Sequence, residues 1–137
     1  MRDGSLAGVS APSLNDIELL ATAAFEGLPA KFRNLCGVIV FRVEDFPTED
    51  VLNELKAETP FDILGLFQGV GLAQDAAVAE TGRMPNMVFL YRRPILDYWA
   101  EHEETLGAVV THVLVHEIGH HFGLSDADME ALEAAAN

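Results

Sequence analysis

His116 and His120 lie four residues apart with Glu117 between them, in the run His116-Glu117-Ile118-Gly119-His120-His121-Phe122-Gly123-Leu124-Ser125-Asp126. On an α-helix, side chains four apart stand one turn above another, so the two imidazoles can aim nitrogens at one point and share a cation. Glu117 follows His116 by about 100° around the helix axis. That keeps its carboxylate off the cation but near a water beside it, the place of a base and not of a ligand. A zinc ion that keeps one position open needs a third protein donor, which a straight helix does not readily supply in tetrahedral geometry. Gly123 is where the helix can end in the left-handed conformation that glycine adopts without strain, and Asp126 offers a carboxylate three residues later. Asp126 is therefore the expected third ligand. Asp128 is the alternative, although its spacing suits the capping partner of Ser125 better.

With five histidines and 13 glutamates in the chain, shuffling would produce HExxH roughly once in a hundred trials, and the added glycine and aspartate at these offsets roughly once in ten thousand. The competing interpretation is a buried helix whose histidines only satisfy internal hydrogen bonds. Burying an acid and two imidazoles among valines is costly, and a cation offsets that cost. The expected cofactor is Zn2+, though two imidazoles and one carboxylate also suit iron, manganese, cobalt or nickel.

The remaining polar candidates have plainer roles. His112 precedes His116 by one turn but stands about 12 Å along the axis from His120, too far for both to reach one ion. It is expected to support the ligands by hydrogen bonding or to pack. His121 points about 100° away from His120 and is expected to pack, while His102 is expected to be exposed. Tyr91 or Tyr98 could donate to a developing oxyanion, and Arg92 or Arg93 could bind a substrate carboxylate. Packing and surface charge are the ordinary alternatives for all four.

These residues need elements to hold them. Ser13 and Asp16 form a capping-box pattern ahead of apolar positions at helical spacing up to Leu28 and Pro29. Residues 38–43, rich in β-branched side chains and apolar on both faces, read as a central strand. Thr48 caps a helix over about 49–58, which turns Val51, Leu52 and Leu55 inward before Pro60. Residues 63–68 read as a short strand, 69–86 mainly as loop with a helical turn near Ala76, and 87–91 as a third strand. A fourth strand could lie within the loop. Pro94 suits the first turn of a helix to roughly residue 102, a long helix follows over about 103–122, and Ser125 with Asp128 opens a short final one. Helices alternating with three strands predict a two-layer α/β (α+β) domain with a small mixed sheet.

The chain is 137 residues long and half apolar, the size of one domain, with residues 1–12 expected to be flexible. Eight basic against 22 acidic residues give a formal charge of −14, which opposes nucleic acid and anionic membrane surfaces as partners. No signal-like stretch or membrane-length apolar run is present, and Cys36 alone permits no internal disulfide, so a cytoplasmic location is expected.

Besides HEIGHHFGLSD, the stretches Gly65-Leu66-Phe67-Gln68-Gly69 and Leu90-Tyr91-Arg92-Arg93-Pro94-Ile95 resemble the minimal zincin-like metallopeptidases, a family related in motif to the metzincins. The resemblance spans roughly residues 14–133. It implies a shortened zincin domain in which His116 and His120 bind zinc, Glu117 is the catalytic carboxylate, and Asp126 replaces the third histidine usual in metzincins. Met129 is too close to Asp126 to stand for the methionine-containing turn of larger metzincins, so one wall of the usual substrate cleft is expected to be missing. The expected function is zinc-dependent hydrolysis of a peptide or protein substrate. A metal-stabilised binding module that cleaves nothing, or a hydrolase of another amide or ester, are the competing expectations. Glu117 argues against the first, because a purely structural site does not need it.

Overall fold

In the computed structural model, which describes residues 6–69 and 86–136, the capping box at Ser13 opens the first helix as expected. Asp16 N–H donates to Ser13 Oγ at 3.0 Å, and Ser13 N–H donates to the Asp16 carboxylate at 2.8 Å. Helix α1 (Leu14–Glu26) follows and buries Ile17 and Ala21. A second helix, α2 (Ala30–Cys36), was not foreseen. Pro29 is its N-cap, Phe32 and Cys36 turn inward, and Gly37 ends it at φ +66°. Proline stops one helix and can start the next, because its fixed φ and missing N–H cost nothing at a first turn.

Strand β1 is Ile39–Glu44, and Thr48 caps α3 (Glu49–Glu54) by accepting from Val51 N–H at 3.2 Å. That helix ends before residue 58 because Lys56 adopts φ +56°, closed by Ala57 N–H donating to Leu52 O at 2.9 Å. Leu55, expected to turn inward, is exposed. A 3-10 turn over Pro60–Asp62, capped by Thr59, leads into β2 (Gly65–Gln68). Strand β3 is Asn86–Tyr91, followed by α4 (Arg92–Glu101), α5 (Leu106–His121) and α6 (Asp126–Ala135). The turn expected near Ala76 and the possible fourth strand lie outside the described residues.

The described strands form one mixed sheet in the order β1-β3-β2, with β1 parallel and β2 antiparallel to β3. The expected central strand, β1, is thus at an edge of the described sheet and β3 is in its middle. Apolar residues on a strand report what covers its faces, not how many hydrogen-bonded neighbours it has. Here Val40 on the outer face is partly solvent-exposed, while Ile39, Phe41 and Val43 pack on the core.

Registry places Val88 beside Phe41 and Phe67, and Leu90 beside Val43 and Gly65, on the face that receives the helices. Helix α5 packs between this face, α1 and α6 and buries Val109, Val110, Val113, Leu114, Val115 and Ile118. A helix enclosed from several sides needs apolar residues nearly all round, and the valine-rich sequence meets that need. The result is the expected α+β arrangement, with the histidine-bearing helix at its centre. Among the described residues, no helix is long and apolar enough to cross a membrane.

Candidate metal centre

Thr105 starts α5 by accepting from Ala108 N–H at 3.1 Å. After His121 the chain reverses at Gly123, which takes φ +72°, and Leu124 N–H donates to Gly119 O at 2.9 Å. This is the expected glycine-permitted bend. Ser125 then caps α6: Asp128 N–H donates to Ser125 Oγ at 3.1 Å, and Ser125 N–H donates to the Asp128 carboxylate at 3.3 Å. Asp128 therefore has the capping role its spacing suggested. Helix α6 packs back against α5, with Met129 fully buried against Gly119.

The imidazoles of His116 and His120 are neighbours one helical turn apart, with centroids 5.6 Å apart and planes at 87°. Glu117 is partly buried between α5 and β2. A Cβ at Gly65 would approach Glu117 Cγ to 3.2 Å and Val113 Cγ1 to 2.8 Å, so the missing side chain at Gly65 makes room for the acid. Burial pushes the Glu117 carboxyl above its ordinary range, and His120 partly opposes that shift. Asp126 is exposed at the start of α6, just beyond the bend.

Among the described residues, the group of three potential metal donors whose atoms all lie within 4.8 Å of one another is His112, His116 and Glu133. His112 Nδ1 is 2.8 Å from Glu133 Oε1, and His116 Nε2 is 3.4 Å from Glu133 Oε2. His120 and Asp126 are outside that group. Glu133 was not singled out from sequence. Its signal was available in the helical period: it follows Met129 by four residues and so shares the face of α6 turned towards α5.

The other candidates have structural partners. His121 packs on Phe67 with centroids 4.2 Å apart, and a Cβ at Gly69 would meet its ring. His102 is exposed and stacks on Tyr98 at 3.8 Å. Arg92 pairs with Asp45 at 3.1 Å and donates to Pro12 O, while Arg93 lies over the Phe46 ring. Tyr91 is buried, and burial, reinforced by the negative charges of Glu44 and Glu117, raises its phenol to about 12. It is a neutral hydrogen-bond donor at any physiological pH. A cleft of about 290 Å³ lies on the sheet face opposite α5, lined by Arg42, Glu44, Phe89 and Tyr91 among others.

Imidazoles one turn apart with a carboxylate in reach form a donor set suited to a divalent cation, and the His116 and Glu133 side chains remain 25% and 24% exposed, open enough to admit one. A sequence profile of the zincin-like metallopeptidases matches residues 36–136, about three-quarters of the chain and all of the HExxH segment. The chain belongs to the zincin-like metallopeptidase family. No curated protein matches it.

Proposed function

We propose that this chain is a zinc-dependent peptidase in which His116, His120 and Asp126 hold the cation and Glu117 is the general base. The observation that carries the reading is the position of Glu117: beside the His116 and His120 pair, partly buried beneath Gly65, with its carboxyl raised by burial. When bound, zinc supplies Lewis-acid polarisation of a substrate carbonyl and of water. Glu117 takes the proton as the water oxygen bonds to the carbonyl carbon, then delivers it to the departing amine nitrogen as the C–N bond breaks. A carboxyl held above its ordinary range both accepts and returns a proton more evenly near neutrality.

Strand β2 is at an edge of the described sheet and runs over the helix that carries Glu117. An extended peptide or protein substrate paired along that edge would have its backbone close to the acid. The test is a diverse peptide pool incubated with zinc-loaded protein, with chelator and Glu117→Gln controls. Cleavage that chelator abolishes and Glu117→Gln lacks is expected. Cleavage persisting in Glu117→Gln would remove Glu117 from the reaction, and a chain that binds peptides without cutting them would favour the binding-module reading.

A further inference from the structure

We infer that His112, His116 and Glu133 form a second divalent-cation position, one helical turn before the proposed catalytic one and sharing His116 with it. Three histidines recur at intervals of four on one stripe of α5, so the helix offers two overlapping imidazole pairs: His116 with His120, and His112 with His116. The ring centroids of the second pair are 4.1 Å apart, closer than the 5.6 Å of the first. Among the described residues, the second pair is the one with a carboxylate already in place, because Glu133 reaches across from α6 to both rings.

The spacings suit an ion. Donors about 2.1 Å from a tetrahedral zinc are about 3.4 Å from one another. His116 Nε2 and Glu133 Oε2 stand 3.4 Å apart. His112 Nδ1 and Glu133 Oε1, at 2.8 Å, are at hydrogen-bond distance, and replacing the shared proton by a cation opens that gap by a few tenths of an ångström. The three donors come from two helices that Met129 and Gly119 hold in contact, so the position is set by the packing of α5 on α6 and not by a mobile terminus. All three side chains are partly exposed, which gives an ion a way in.

The Nε2 atom of His116 faces Glu133, so a cation held here draws on the nitrogen that the proposed catalytic position would also use. The two positions therefore compete, and a chain holds its ion at one or the other. An ion held by His112, His116 and Glu133 is then unavailable to the His116 and His120 pair.

The test uses the full chain carrying His120→Ala and Asp126→Ala, two exposed positions whose loss leaves the core intact. Zinc binding is followed by calorimetry, and cobalt binding by the visible spectrum, which reports coordination without any need for activity. One ion per chain is expected, with affinity falling at least ~10- to 100-fold when His112→Gln or Glu133→Gln is added. A folded doubly substituted chain that binds neither ion, or binds it indifferently to His112 and Glu133, overturns the inference while leaving the catalytic assignment standing. If the alanine pair does not fold, His120→Gln with Asp126→Asn takes its place under the same criteria. Loss of turnover in Glu117→Gln bears on the reaction alone and leaves this result untouched.

Discussion

Gly119 and Met129 meet so closely that a Cβ on the glycine would lie 2.5 Å from the methionine Sδ and 2.8 Å from its Cγ. The glycine within HExxH thus has a packing role: it lets α6 press its buried methionine against the helix between the two histidines. Gly119→Ala should lower stability by about 1–3 kcal/mol through overpacking. Met129→Ala should cost about 2–5 kcal/mol through the cavity it leaves. Because each change relieves the other, urea denaturation of the double variant should show a loss smaller than the sum. Strict additivity would mean the two residues are not in contact.

Glu117→Gln should separate stability from function. The carboxyl is raised in the folded chain by burial, so its contribution favours the fold below the ordinary value of 4.5 and is lost as pH rises through the folded pKa. At neutral pH the metal-free Gln variant should therefore melt higher than the parent, and the difference should vanish towards pH 4. Turnover should fall by about 10²- to 10⁴-fold. Equal melting temperatures at neutral pH would show that the acid carries no burial cost.

How the chain was readable from sequence differed by type of signal. The caps at Ser13, Thr48 and Ser125 and the bend at Gly123 are local rules, written within four residues, and each appears where its spacing put it. Helix α2 was missed because Pro29 reads as a stop, and its restart has no side-chain cap to announce it. The middle place of β3 was missed because lateral order in a sheet is a long-range property. Glu133 was missed for the same reason, since its meeting with His112 spans 21 residues and depends on α6 folding back along α5.

Gly123 should tolerate substitution poorly. At φ +72° a side chain is strained whatever the space, so Gly123→Ala should cost about 1–2 kcal/mol and Gly123→Asn less. Because the bend sets where Asp126 begins α6, zinc affinity should fall alongside the melting temperature in the alanine variant. An alanine variant with parental stability would contradict the left-handed bend.

Alkali should expose the state of Cys36. The thiol is buried and donates to Phe32 O at 3.2 Å, and burial raises it from 9.0 to about 11. A raised pKa means the thiol's contribution is complete below pH 9 and is lost as pH climbs towards 11. Tyr91 follows in a higher window, from 10 to about 12. The stability of the parent relative to Cys36→Ala should therefore shrink between pH 9 and 11. A constant difference across that range would place the thiol in water.

The most direct test of the account is the zinc content of the parent and of His116→Ala after both are loaded with zinc and freed of excess metal. His116 belongs to both imidazole pairs, so the account predicts about one zinc per chain in the parent and almost none in the variant. A parent that retains no zinc, or a folded His116→Ala chain that retains as much as the parent, would contradict it.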